Sequence, residues 1–437
     1  MKDSKANPFA TLLNVARKIT AFRSKALSIS ILNQIVTSGT NFFLGLYLIR
    51  TLSPNDFGLY GIGFAVVLLY SGIGNALFLT QMVVHVPDKA PPERLLYASR
   101  ILATLFIFCL TTIFIIGLFV LSSRHSLNSY WQYSELLLSI TAASTTYLLK
   151  DFFVRHAYTI RKEILALIIS TTISVTLGIT LFVLNQVNMA LHSSTVLFAY
   201  ATGNMVGAIV GVLLTRLPLL NIRLAEVIKD SREAWIGGRW ALGGVSVSWL
   251  QGQAYMYVTA IFIGPAGVGY ANAAKIFITP AQVMMPAISQ VIMPNLARLR
   301  ASDPKKMLSV YRMLFLVAIG FAVIYSTILL IGLDYLTPML VSSKYKSIGL
   351  LVAAWCLALT CQFSNASSNV FLQASKEFKI LTFANTISFI VAIITTVILM
   401  QLFGVYGAII GTASGDAIMS ILLFFYIRLN FSEKSSA

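Results

Sequence analysis

The stretch Leu52-Ser53-Pro54-Asn55-Asp56-Phe57-Gly58 returns as Ile263-Gly264-Pro265-Ala266-Gly267-Val268-Gly269, at an offset of 211. Lys162-Glu163 with Thr172-Ile173-Ser174 returns as Lys376-Glu377 with Thr386-Ile387-Ser388, at an offset of 214. Ala201-Thr202-Gly203-Asn204 and Arg216-Leu217 return as Ala413-Ser414-Gly415-Asp416 and Arg428-Leu429, at an offset of 212. Three landmarks in one order and at nearly one spacing mark an internal duplication. In a membrane chain, such a duplication is a signature of two lobes around a central path.

Membrane character follows from composition. Of the 437 residues, 57% are hydrophobic and 11% charged, with a mean hydropathy of +0.81; soluble domains carry about 25% charge. A bilayer core takes roughly 20 apolar residues per helix. Such stretches fall near 28–49, 57–84, 101–122, 133–154, 164–186, 194–215, 240–263, 266–297, 312–333, 348–372, 380–402 and 405–427. Only Gly264-Pro265 separates the seventh from the eighth. Runs this long do not alternate, which excludes a transmembrane β-barrel. The chain therefore reads as an all-α polytopic membrane protein of about 12 transmembrane helices in two six-helix lobes. An even number per repeat gives both lobes the same orientation, hence a parallel pseudo-twofold axis along the membrane normal. The predicted divisions are a basic amphipathic N-terminal segment (1–27), an N-lobe (28–216), a cytoplasmic linker (217–239), a C-lobe (240–428) and a tail (429–437).

The net charge of +17 is explained by its placement. With the N-terminus inside, 27 of the 32 Lys and Arg fall on the cytoplasmic side, and Arg50, Arg124, Lys344 and Lys346 on the other. That split obeys the positive-inside rule and requires an even number of spans, with both termini cytoplasmic. Nucleic acid is not an expected partner. Phe9, Leu12, Leu13, Ala16, Ile19 and Phe22 share one face of the N-terminal segment, which lies in the inner headgroups or forms a solvated basic flank. Leu224, Val227, Ile228 and Trp235 give the linker a short amphipathic helix.

Nothing in the pattern supports catalysis. Predicted external loops are short, no GxxxxGK[ST] loop occurs, and the four His, at 85, 125, 156 and 192, are scattered. Cys109, Cys356 and Cys361 lie within apolar stretches without ligand-like spacing, so neither a disulfide framework nor a metal site nor a cofactor is expected. A membrane polysaccharide polymerase or ligase, which needs a large external loop, is the enzyme alternative.

Polar groups within a bilayer need a reason, since a central charge costs at least about 2.5–3.5 kcal/mol. Lys275, in Tyr270-Ala271-Asn272-Ala273-Ala274-Lys275, faces an aqueous cavity holding an anionic group, or pairs internally or snorkels. Asp416 has the neutral Asn204 as repeat mate; it is a counter-ion to Lys275, a coupling site, or an acceptor joining helices. Arg155 and Arg161, with Lys150, Asp151 and His156 nearby, are candidates for capturing a phosphate at the inner entrance, against the plain alternative of a basic loop. Arg50 sits on the basic-poor side, near an exit or snorkelling to lipid phosphate. Asn33, Asn41, Asn75, Gln251, Gln253 and Asn272 are candidates to line a hydrated cavity. Pro280 and Pro286, followed by Pro294, with Gly267 and Gly269, suggest a hinge in the eighth span.

Arg50-Thr51-Leu52-Ser53-Pro54-Asn55-Asp56-Phe57-Gly58-Leu59-Tyr60 resembles the R-x-L-x-P-x-x-[FY]-G-x-Y signature of bacterial polysaccharide exporters. Gly264-Pro265-Ala266-Gly267-Val268-Gly269-Tyr270-Ala271-Asn272-Ala273-Ala274-Lys275 resembles their second-lobe signature. These belong to the polysaccharide transporter branch, Wzx-type flippases included, of the multidrug/oligosaccharidyl-lipid/polysaccharide exporter superfamily. The resemblance covers the whole chain. It implies V-shaped lobes around a cavity, and movement of undecaprenyl-pyrophosphate-linked oligosaccharide between leaflets of the bacterial inner membrane by alternating access. Membrane lipids, a polysaccharide polymerase and a chain-length regulator are implied partners, and a monomer the implied state. A drug exporter of the same superfamily is the alternative, though its cationic substrates suit a basic cavity poorly. The lipid II flippase typically has fourteen spans. A major-facilitator permease would carry a basic signature where this chain reads His85-Val86-Pro87-Asp88-Lys89-Ala90.

Overall fold

The computed structural model describes residues 24–126, 131–218, 222–341, 344–345 and 348–432. The amphipathic face at residues 9–22 and the end of the tail lie outside them. Every described element is helical: α1 Ser24–Thr51, α2 Pro54–His85, α3 Pro91–Ser126, α4 Trp131–Thr159, α5 Glu163–Gln186, α6 Ser193–Thr215, α7 Leu224–Phe262, α8 Pro265–Lys275, α9 Thr279–Ser302, α10 Pro304–Ile331, α11 Leu333–Leu340, α12 Gly349–Ser375 and α13 Phe378–Ser432. By length and composition α2, α3, α5, α6, α10, α12 and α13 are able to cross a membrane. Their outward faces carry large apolar side chains such as Phe114, Phe182, Leu213, Leu316 and Leu402. The protein is an all-helical, multi-pass membrane protein.

Local chemistry sets the helix boundaries. Ser53 caps α2, accepting from the Asp56 amide at 3.1 Å, with Pro54 in the first turn, where a missing N–H costs nothing. In the repeat, Gly264 precedes Pro265 at φ +97°, a region few side chains tolerate. The 55 residues of α13 would span about 80 Å if straight, against a hydrocarbon core of about 30 Å. Gly404, at φ 58° and ψ −138°, breaks the helix into two limbs. Those limbs fold back on each other: Ser388 Oγ donates to the Gly415 carbonyl at 2.8 Å and Thr395 Oγ1 meets Ser414 Oγ at 2.6 Å. The two final apolar stretches thus form a helical hairpin.

The predicted linker is not a separate element. From Leu224 onward it is the first half of α7, which continues without interruption into the predicted C-lobe. Val227 and Asp230 are buried against the N-lobe, while Leu224, Ile228 and Trp235 face outward. Arg100 of α3 holds this half through Asp230 (2.5 Å) and Glu226 (2.8 Å). Gly237 and Gly238 press on Gln81 and the Ala76 carbonyl, beside a single π turn, Asn75–Leu79, in α2.

The apolar cores define the lobe arrangement. One core joins both halves at the end of the bundle containing the α1–α2 and α7–α8 turns; it includes Leu48, Leu52 and Phe57 with Val268, Tyr345 and Trp355. At the opposite end the core is split. Leu77, Leu105, Phe152 and Ile169 belong to the N-lobe cluster, and Leu296, Tyr311, Phe371 and Leu423 to the C-lobe cluster. The lobes are fused at the first, joined end and separate at the second, split end.

The duplicated motif lies on the seam. A Cβ on Gly58 would overlap the Pro265 carbonyl oxygen, and one on Gly269 would overlap the Pro54 carbonyl oxygen. Pro54 and Pro265 are repeat mates, as are Gly58 and Gly269. Each repeat's proline carbonyl therefore enters the space left by the other's glycine, which is a twofold contact. Gly61 faces the Asn272 side chain, its own mate at an offset of 211.

Candidate functional site

Lys275 is the last residue of α8, beside this seam. Pro280 has no N–H to give the Ile276 carbonyl, so the helix tightens there: the Thr279 amide bonds Ile276 O and the Ile278 amide bonds Lys275 O. The break between α8 and α9 falls at residues 276–278, not at Gly267 or Gly269, which serve packing at the start of α8. Pro280 lies in the first turn of α9. Residues 286 and 294 lie inside that helix, and the side chains of both are outside the described set.

The Lys275 ammonium lies 5.0 Å from the Trp355 ring and 5.3 Å from the Tyr255 ring. Both rings are pinned: Trp355 Nε1 donates to the Ala271 carbonyl and Tyr255 OH to Asn272 Oδ1, each at 2.9 Å. Aromatic faces stabilise a cation by roughly 0.5–2 kcal/mol without neutralising it. Among the described residues, no carboxylate approaches Lys275 within 4 Å.

Asp416, on the second limb of α13, belongs to a polar chain across three helices. Gln282 Nε2 of α9 donates to Gln362 Oε1 at 2.8 Å, and Gln362 Nε2 of α12 donates to Asp416 Oδ2 at 3.2 Å. Asn365 Nδ2 donates to the Asp416 carbonyl at 2.9 Å. Asp416 and Lys275 also interact electrostatically, without direct contact.

Half-open stripes run along α4 and α12. On α4, Tyr147, Asp151, Arg155 and Tyr158 recur at helical spacing, each only partly exposed in a helix otherwise largely buried. On α12, Gln362, Ala366 and Asn369 do the same, and Gln373, one turn on, is exposed. The last three α4 residues and the first three α12 residues are repeat mates at an offset of 211. Partly exposed polar groups at repeat-related positions, in helices otherwise largely buried, are candidates to line a polar groove between the lobes.

The other candidates are dispersed. Arg155 Nε pairs with Asp151 at 3.0 Å on the α4 stripe. Arg161 is exposed in the α4–α5 turn, at φ 59°. Asn33 Nδ2 donates to Tyr158 OH at 2.9 Å, tying α1 to α4. Asn41 is exposed on α1, Asn75 opens the π turn, and Gln251 donates to Ser388 Oγ at 2.8 Å. Gln253 Oε1 is buried without a hydrogen-bond partner among the described residues.

Arg50 is remote from Lys275, in a strap across the joined end. Its guanidinium donates to the Met339 carbonyl. In return Lys344 Nζ reaches the carbonyls of Arg50, Thr51 and Leu52 at 3.3–3.4 Å, the final turn of α1, where a cation opposes the helix dipole. Tyr345 packs between Phe57 (6.5 Å) and Tyr270 (5.2 Å), and burial pushes its phenol well above the usual tyrosine range. Sequence reading missed Trp355, Tyr255, Gln282 and Gln362, because amphipathic side chains at helical spacing look like ordinary core. The offset of Gln362 from Asp151 was the available signal.

With two helical lobes, a seam of repeated motifs and half-open polar stripes in place, relatives become interpretable. Residues 47–348 match the family model described as polysaccharide biosynthesis protein. The chain belongs to this family. No curated protein matches it in sequence. Among solved structures, the fold is similar to an inward-facing multidrug resistance MATE family transporter of the MOP superfamily, with TM-score 0.74 and 14% identity over 94% of this chain and 99% of that one. It is similar to the lipid II flippase MurJ in an inward closed conformation, with TM-score 0.70 and 16% identity over 92% and 87%. An outward-facing MATE transporter gives TM-score 0.59 at 15% identity over 94% and 96%. The chain is thus a member of the polysaccharide biosynthesis protein family with a fold similar to that of these transporters.

Proposed function

We propose that this protein moves undecaprenyl-pyrophosphate-linked oligosaccharide from the inner to the outer leaflet of the bacterial inner membrane by alternating access. Both termini then lie in the cytoplasm, and the groove opens inward. The observation that carries the reading is Lys275: a membrane-embedded cation on an aromatic corner, with no carboxylate in contact among the described residues, near the Asp416–Gln362 polar chain. Such a group suits the pyrophosphate, and the Asn and Gln side chains of the stripes suit sugar hydroxyls. The cargo's lipid tail also needs a route. α7 packs along α2, with Trp249 Nε1 on the Ala65 carbonyl at 3.0 Å, whereas its repeat mate α1 meets the α8–α9 region sparingly, at Gly45 and Ile276. The α1–α9 side thus offers the bilayer an opening through which a tail stays in lipid while the headgroup crosses. No step in this process makes or breaks a covalent bond. Polymerase and chain-length regulator are the partners that would consume the exported unit.

A strain depending on this protein tests the reading. Its deletion is expected to accumulate lipid-linked repeat units on the cytoplasmic face. Lys275→Ala is expected to reproduce that accumulation at normal protein level; unchanged surface polysaccharide in that variant would refute the role of Lys275.

A further inference from the structure

The repeat places Phe64, not a cation, at the N-lobe position equivalent to Lys275. The structure supplies one from another helix. Phe64 packs edge-on against Tyr200 at 5.5 Å, Tyr200 stacks on Tyr147 at 6.2 Å, and the ammonium of Lys150 lies 3.9 Å from the Tyr147 ring. Lys150 is 8% exposed. Tyr147 lies one turn earlier on the half-open stripe of α4, so the amine sits beside that stripe.

The charge balance is the second observation. Asp151 is the carboxylate in reach of Lys150, at 3.8 Å, which is beyond hydrogen-bond length. That carboxylate already takes Arg155 at 3.0 Å. Two cations therefore share one anion, leaving this cluster with one net positive charge, whereas Lys275 and Asp416 together are neutral. A buried ammonium without a hydrogen-bonded acceptor is costly, and a bound anion removes that cost.

We infer that Lys150, on its Tyr147 platform and backed by Arg155, is a second anion subsite, which takes a phosphate of the pyrophosphate headgroup on the N-lobe side. The inference rests on the reading above. Each lobe then contributes one lysine on aromatic rings, by different helices, and the headgroup is held from both sides of the groove.

The test uses the full-length protein in phosphatidylcholine nanodiscs, titrated with undecaprenyl pyrophosphate and, separately, with inorganic pyrophosphate. Lys150→Ala and Lys150→Gln are expected to weaken both by about tenfold or more, and Lys150→Arg to retain most of the affinity. Asp151→Asn provides the opposite sign: removing the competing carboxylate is expected to tighten pyrophosphate several-fold, whereas a merely structural Lys150–Asp151 pair would lose affinity or folding. Wild-type binding by the Lys150 variants alongside loss in Lys275→Ala would overturn the N-lobe subsite and leave the proposed function standing. Wild-type binding in both sets would overturn the headgroup reading itself. Equal displacement of pyrophosphate by added phosphatidylglycerol would assign the site to a bilayer phosphate and also overturn the inference.

Discussion

Single residues carry the sharpest consequences at three places. Arg100 is buried on Asp230, which is itself only 6% exposed, so Arg100→Ala leaves a buried carboxylate unpaired. The expected loss is about 3–5 kcal/mol in thermal or denaturant unfolding, and Arg100→Ala with Asp230→Ala together should cost less than Arg100→Ala alone. Gly58 and Gly269 have no room for a methyl group, because the opposing atoms are proline carbonyls that cannot rotate away. Gly58→Ala is expected to force the seam apart, lowering stability by about 1–3 kcal/mol and raising the reactivity of a cysteine placed at Val268. The sequence singled out these glycines through their repetition and assigned Gly269 to a hinge. Their partner was illegible, since the carbonyl that fills each gap comes from 211 residues away. Asp416 shows the same boundary: its position on a small-residue helix was readable, but the hydrogen bond from Gln362 required three helices to be assembled.

At the scale of elements, periodicity located nearly every helix, because a bilayer demands long apolar runs whatever their packing. It misplaced the joints. The linker merges into α7 because Arg100 and the π turn of α2 hold its first half as a continuous helix against the N-lobe. The break after Lys275 follows from Pro280, one turn downstream, and so depends on a residue that sequence reading had grouped with a more distant hinge. The strap between α1 and the α11–α12 region is the element most exposed to test. Lys344 caps the final turn of α1 while Arg50 reaches Met339, so the two lobes hold each other by backbone carbonyls. Cysteines at Arg50 and Met339, joined by a bifunctional thiol reagent with a reducible spacer of about the length of an arginine side chain, are expected to stop transport, with reduction restoring it. Full transport in the cross-linked state would show that this end does not open.

For the whole molecule, the cores are divided at one end and shared at the other, so the proposed change of sides requires the shared core to part together with the Pro–Gly contacts, the strap, and the Tyr345 ring between Phe57 and Tyr270. Duplication supplies the frame, and the differences between repeats supply the charges. Lys275 faces Phe64, Asp416 faces Asn204, and Lys150 corresponds to no charged C-lobe residue at the offsets of 211 and 212. The proposed function is transport of a lipid-linked glycan by this asymmetric pair of lobes. It is tested most directly by reconstituting the purified protein into vesicles with a fluorescent undecaprenyl-pyrophosphate oligosaccharide and following protection of the sugar from a membrane-impermeant glycosidase. The account predicts protein-dependent translocation that Lys275→Ala abolishes. Translocation no faster than in protein-free vesicles, or undiminished in Lys275→Ala, would contradict it.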